Sequence, residues 1–233
     1  MLNLSQSGKL FLAISLSLPT ICFAKDDAFK YLDEESFSAE KDFNPAPAVD
    51  SKITVRDLEI ILKYQDNRTE EDCIRAKSEV SVSVETFFGQ PNGTLSDEQS
   101  KYLTPFLEKV LKDAKYFVRG AKEFYKRPRP FVSFPQIKPC VDKEISLSYP
   151  SGHSTIAFVW GDLLEEVFPE SKTLIHSRAQ QIADDRVIGG VHYPSDIAES
   201  RVFATKFVTK IKASPKFKKD FKEIKDNFAE DRP

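Results

Sequence analysis

A row of apolar residues at helical spacing constrains this chain more than any other feature. Leu107, Leu111, Ala114, Val118, Ala121 and Tyr125 recur at intervals of 4-3-4-3-4, which places them on one stripe of an α-helix and on no single face of a strand. The spacing predicts a helix over about 97–126, opened by Ser96 with Glu98 and Gln99 behind it. Related patterns follow downstream. A helix should run from Ser151 to about Val167, rich in Phe158, Val159, Trp160, Leu163 and Leu164. Another should cover about 171–188 and stop at Gly189-Gly190, and a third should begin near Pro194, a residue suited to a first turn. Phe217, Phe221, Ile224 and Phe228 mark a last, lysine-rich helix. Upstream, Leu58, Ile61 and Leu62 begin a helix-like pattern, whereas 79–84 reads equally as an alternating strand or as helix continuing from Cys73 and Ala76. Gly89 to Gly93 is a break, and 131–149, with Pro135 and Pro139, reads as a loop. The expected class is all-α. A single-domain helical bundle spans 55–233 after an irregular arm at 25–54, with its active site at helix ends and loops.

Composition narrows what such a bundle does. The 34 Lys+Arg and 36 Asp+Glu give a formal net charge of -2, without the basic excess of a dedicated nucleic-acid binder. Three His and three Cys are a poor supply for a multi-zinc protein. The first 24 residues read as a secretory signal peptide: Lys9, the apolar run Leu10 to Leu18, Pro19, and small residues before Lys25. That apolar run is shorter than the roughly 20 residues a bilayer span needs, and no other stretch is apolar enough to be one. The expected location is therefore periplasmic or secreted. Cleavage after Ala24 leaves Cys73 and Cys140, an even pair that invites a disulfide in an exported protein. The alternative is two buried thiols. The sequence leaves room for a homo-oligomer without arguing for one.

Three short motifs carry the chemistry. Lys122 is followed after six residues by Arg129-Pro130; Pro150-Ser151-Gly152-His153 stands where a loop becomes a helix; Arg186, His192 and Asp196 follow in order. Ser151 is a good N-cap, and Gly152 lets an anion approach the backbone N–H groups of a helix start. Lys122, Arg129 and Arg186 are cations from separate segments, and together they could neutralise a phosphate dianion. Taken singly, each reads as a surface charge. Beside Lys122, the row Lys112, Lys115, Arg119 and Lys126 reads as a solvated face, and Lys122 as the member bordering the core. His192 and Asp196 lie four apart around Pro194, which can put a carboxylate on the imidazole Nδ1–H and leave Nε2 as an oriented lone pair. An ordinary capping contact is the other reading of that pair. His176 has no partner in the pattern and reads as structural or exposed.

In this order the three pieces resemble the signature of the phosphatidic acid phosphatase type 2 superfamily. More closely, the chain is similar to the secreted class A bacterial acid phosphatases. The resembling segments are KEFYKRPRP at 122–130, PSGH at 150–153 and DRVIGGVHYPSD at 185–196. The resemblance implies a phosphomonoesterase acting at acidic pH on small phosphate esters, without metal or cofactor. It implies His192 as the nucleophile that becomes a phosphohistidine, Asp196 as the group holding its ring, and His153 as acid and then base. Lys122, Arg129, Ser151, Gly152 and Arg186 would bind the phosphate oxygens. One position departs from the pattern. Asp185 stands where the family usually has Ser, and it could pair with Arg186, weaken phosphate binding by repulsion, or point to solvent. Three alternatives stand beside it: a vanadate-dependent haloperoxidase that shares the motifs, an integral lipid phosphatase of the same superfamily, which the lack of spans disfavours, and a periplasmic phosphate-binding protein without turnover.

Overall fold

The computed structural model describes residues 29–88 and 95–230. The expected signal peptide and the break at Gly89 to Gly93 lie outside the described residues. Among those described there is no strand, and the chain is all-α. Its helices are α1 (Ala39–Asp42), α2 (Lys52–Asn67), α3 (Glu70–Ser78), α4 (Val84–Phe88), α5 (Asp97–Tyr125), α6 (Pro130–Ser133), α7 (Gly152–Val167), α8 (Lys172–Ile188), α9 (Pro194–Ile211) and α10 (Pro215–Glu230).

The centre of the bundle is α7. Ile156, Ala157, Phe158, Val159, Trp160, Leu163 and Leu164 are all buried, so apolar residues cover most of its circumference, as expected of a helix surrounded by others. It packs against α8 and α9, with α5 and α10 also in contact. On α5 the buried face is wider than the predicted stripe. Leu103, Phe106, Val110 and Phe117 join Leu107, Ala114, Val118 and Ala121, while Leu111 and Tyr125 are only partly buried. The stripe of α10 is buried as its spacing predicted, with Phe221 stacked on Phe106 and Phe217 tilted against it.

Two segments settle differently from the periodicity. Residues 79–83 are neither strand nor continuous helix: α3 ends at Ser78, and a turn leads into α4 at Val84. The arm before α2 is largely irregular, yet Tyr31, Phe37 and Phe43 are buried in the main core. Asp113, fully buried on α5, holds it there by accepting the backbone N–H groups of Lys30, Tyr31 and Leu32 at 2.7, 2.8 and 3.0 Å. An ionised side chain pays for such burial only by satisfying its oxygens, which three amide donors do.

Cys73 on α3 and Cys140 in the loop after α6 form a disulfide with Cα atoms 5.7 Å apart. Closing a loop of about 70 residues stabilises by about 4 kcal/mol on chain-entropy grounds. Arg68 ties down the same loop, donating to the carbonyls of Lys138 and Ile188 at 2.5 and 2.7 Å. These restraints hold the loop 134–149 against the ends of the long helices. Among the described residues no helix is long and apolar enough to cross a membrane.

Candidate active site

The predicted residues gather where several helices end. Lys122 lies in the last turn of α5, Arg129 is the N-cap of α6, and Gly152 and His153 open α7. Arg186 ends α8, and Asp196 is in the first turn of α9, just after His192. The return from α8 to His192 needs a sharp reversal. Gly190 makes it at φ 75, in the region that favours glycine, and a Cβ there would meet the Pro139 backbone at 3.3 Å. The N–H groups of Val191 and His192 then both bond to the Arg186 carbonyl.

A cleft of about 1570 Å³ opens at this point, and Lys122, Arg129, Glu144, Gly152, His153 and His192 are among the residues lining it. It continues along α5 past Val118 and Leu111 to Glu34 and Glu35 of the arm. Ser151 caps α7, its Oγ accepting from Ser154 N at 3.3 Å. A Cβ on Gly152 would approach only Val118, at 3.9 Å. Protein packing therefore does not demand glycine there, and the room it leaves is available to a ligand at the helix start.

His192 is fully buried, and its ring is held on both sides. Nδ1 lies 3.2 Å from Asp196 Oδ2 and Nε2 lies 3.1 Å from Arg129 Nη1. An ionised carboxylate only accepts and a guanidinium only donates, so the proton sits on Nδ1 and Nε2 carries the lone pair. Burial, reinforced by the Arg129 charge, pushes His192 down to about 3, so the ring stays neutral through the acid range. Burial alone would raise Asp196. The His192 hydrogen bond and the Arg127 charge overcome it and pull the carboxyl down to about 2.

The predicted pair sits inside a wider network that the motifs did not reveal. Arg127 is buried and donates to Asp196 Oδ1 at 2.7 Å, to Ser195 Oγ at 2.8 Å and to Thr54 Oγ1 at 3.0 Å. Its guanidinium stacks 3.8 Å above the Tyr193 ring, and Asp57 on α2 balances it at 3.4 Å while accepting from Ser195. Ser148 donates to Asp196 Oδ2 at 2.6 Å. The segment KRPRP displayed two arginines, and only spatial arrangement shows that the first braces Asp196 while the second faces the cleft.

The cations divide. The Lys122 ammonium turns inward to the carbonyls of Leu147 and Ser148, and burial with Arg129 nearby lowers it to about 8, still charged in acid. Lys115, Arg119 and Lys126 are exposed, as the solvated reading of that row expected. Arg129 donates to Ser146 O, Val191 O and the Glu144 carboxylate. Arg186 does not line the cleft. It donates to the carbonyl of Ala76 and lies 3.6 Å from Glu79, near enough for its charge to lower His153. Burial, with Asp185 adding to it, pushes Glu79 up to about 7. His176 is exposed, 3.2 Å from Glu165.

Of the three readings of Asp185, the solvent-facing one is excluded, and its hydrogen-bonded partner is not Arg186, although its charge raises Arg186 against the lowering by burial. Asp185 is fully buried and binds Arg75 of α3 in a two-pronged pair, with Nε and Nη2 each 2.7 Å from a carboxylate oxygen. The carboxylate thus faces α3 and not the cleft. Asp185→Ser should leave the KM for a phosphate ester within about twofold and lower stability by about 0.5–3 kcal/mol, the common span for a destabilising substitution, since the partly exposed Arg75 keeps Asp72. Steady-state kinetics and thermal melts check both; a KM improved several-fold would restore the repulsive role.

Among the described residues no group of three or more His, Cys, Asp or Glu side chains could hold a metal ion. The PAP2 superfamily matches residues 111–218. A non-specific acid phosphatase of Providencia stuartii is 30% identical over 198 residues, covering 79% of this chain and 78% of that protein. One of Salmonella typhi is 25% identical over 202 residues, covering 83% and 81%. Among solved structures, a bacterial vanadium-dependent iodoperoxidase is similar with a TM-score of 0.59 at 16% identity, over 76% of this chain and 53% of that one. A transmembrane PAP2 type phosphatidylglycerolphosphate phosphatase from Bacillus subtilis gives 0.53 at 19%, over 71% and 87%. At those identities the structural likeness speaks for the fold.

Proposed function

Because the chain belongs to the PAP2 superfamily, with acid phosphatases among its relatives, we propose that it is an exported acid phosphatase working through a phosphohistidine. The observation that carries this reading is the His192 ring, oriented at Nδ1 by Asp196, with the Nε2 lone pair held by Arg129 Nη1, a donor that substrate would draw off, in the lining of the cleft. In the first step Nε2 attacks phosphorus in line, the phosphorus–oxygen bond to the alcohol breaks, and His153 gives its proton to the departing oxygen. In the second, His153 takes a proton from water as the water attacks the phosphohistidine, releasing phosphate and restoring the free ring. Lys122, Arg129, Arg186, Ser151 and the Gly152 backbone would bind the non-bridging oxygens, where charge builds in the transition state. Arg186 would have to turn from Ala76 and Glu79 to take part directly. Export rests on the signal peptide alone, and no metal or cofactor enters the scheme.

The pH dependence follows from the two histidines. His153 must begin protonated. Burial lowers it below the ordinary 6.5, with Arg186 adding to the effect, so turnover falls as rising pH takes the proton from His153, at a midpoint below 6.5. His192 must begin neutral, and being pushed down to about 3 it loses its lone pair only in strong acid. Hydrolysis of p-nitrophenyl phosphate by mature protein should therefore peak between those limits, survive a chelator, and be inhibited by orthovanadate as a transition-state mimic. An optimum above neutrality, or a strict need for added metal, would overturn the scheme. Halide oxidation by vanadate-loaded protein without ester hydrolysis would favour the haloperoxidase alternative.

A further inference from the structure

Glu144 is an acid lining a cleft assigned to an anion. Its Oε2 accepts from Arg129 Nη2 at 2.6 Å and from Ser146 Oγ at 3.2 Å, while Oε1 lies 3.7 Å from His153 Nδ1. On the other side of the imidazole, Nε2 is 2.7 Å from the carbonyl of Val80. A carbonyl oxygen cannot donate, so Nε2 keeps its hydrogen in both ring states and the dissociable proton belongs to Nδ1. Nδ1 is the nitrogen that faces Glu144. The carboxylate therefore stands between the proton that must be transferred and an arginine assigned to phosphate.

From this arrangement we propose that Glu144 is a positioning residue for the acid step, keeping the dissociable proton on His153 Nδ1 and yielding Arg129 Nη2 to an incoming phosphate. The inference rests on the phosphatase reading for the use of that proton, though not for its location. The charged groups facing His153 are Glu144 from the 134–149 loop, Arg129 at the start of α6 and Arg186 at the end of α8. The two arginines and burial disfavour the imidazolium, and Glu144 with the Val80 carbonyl favours it. Glu144 is thus the one anion of this set opposing two cations. Burial would raise Glu144 itself, but Arg129 and His153 overcome that and hold it below the usual carboxylate value, so it is charged at the pH where His153 titrates. In return for protecting the proton it competes with substrate. A phosphate oxygen seeking Arg129 Nη2 must displace the carboxylate, which costs binding.

Glu144→Gln removes the charge with little change of shape. The chain has only three His, so the ring signals of His153, His176 and His192 can be separated by NMR, with His153→Ala identifying one of them. In Glu144→Gln the His153 midpoint should fall by about one pH unit, the scale of a lost neighbouring charge at partial exposure. In parallel, the alkaline limb of kcat for p-nitrophenyl phosphate should move down by the same amount while KM falls several-fold. Glu144→Asp, which keeps the charge, should restore most of the limb. An unmoved His153 midpoint in Glu144→Gln would overturn the proposal whether or not the protein turns over, because the titration needs no activity. A shifted midpoint with an unmoved kcat limb would overturn the use of His153 as acid while leaving the pairing intact. Equal losses in Glu144→Gln and Glu144→Asp with a lowered melting temperature would assign Glu144 a structural part alone.

Discussion

His192→Ala should lower turnover of p-nitrophenyl phosphate by at least about 10³-fold, the order expected when a covalent catalyst is lost and only binding and electrostatic stabilisation remain. The imidazole is fully buried, so its removal opens a small hole beside Asp196 and Arg129 but breaks no backbone contact. Melting temperature distinguishes lost chemistry from lost fold. The decisive readout is rapid acid quench with labelled substrate: wild-type protein should trap phosphate on a histidine, and the variant should trap none. Full labelling of the variant would remove His192 from the mechanism, since His153 and His176 would then be the remaining acceptors.

Asp196→Asn should be nearly as damaging, with kcat down by about 10²–10⁴-fold, and for a different reason. The carboxylate accepts from four donors: Arg127, Ser148, the Tyr193 N–H and His192 Nδ1. An amide of the same shape has one accepting oxygen and one donating nitrogen. If the oxygen turns to Arg127, the nitrogen faces His192 and favours the tautomer that carries its hydrogen on Nε2, which erases the nucleophilic lone pair. If it turns to His192, the buried Arg127 loses its shortest ionic partner and keeps Asp57 at 3.4 Å, at a cost of about 3–5 kcal/mol for a broken buried pair. The charge opposite Arg127 is lost in either orientation, so the melting temperature falls in both; the first also turns the amide nitrogen onto the Tyr193 N–H and stops catalysis. A variant retaining more than about a tenth of wild-type kcat would show that ring orientation is not what Asp196 provides.

The difference between these variants and Asp185→Ser reflects how the site is built. Asp185 and Asp196 are both fully buried aspartates held by arginines, but Asp185 meets Arg75 on α3 and Asp196 meets Arg127 and the His192 ring. The two lie on different helices, Asp185 near the end of α8 and Asp196 in the first turn of α9, so one motif segment carries carboxylates that meet different partners.

The helical class was legible from residue spacing, because apolar residues at 3.6-residue spacing can bury a common face only as helices. The caps at Ser96 and Ser151 were legible too, whereas His192 and Asp196 were legible only as a candidate pair beside a capping contact, and Asp196 makes both contacts. Cys73 and Cys140 were legible as a candidate pair once a signal peptide was read. The tertiary structure decided what depended on distant segments. Arg127 braces Asp196 through partners on α2, Glu144 meets His153 and Arg129 across an aperiodic loop, and Asp113 receives the arm some eighty positions away in the chain. Local patterns record what a residue does to its own helix. They are silent on which buried charge will meet which, because that is set by where separate helices end and by the requirement that every buried charge find a partner.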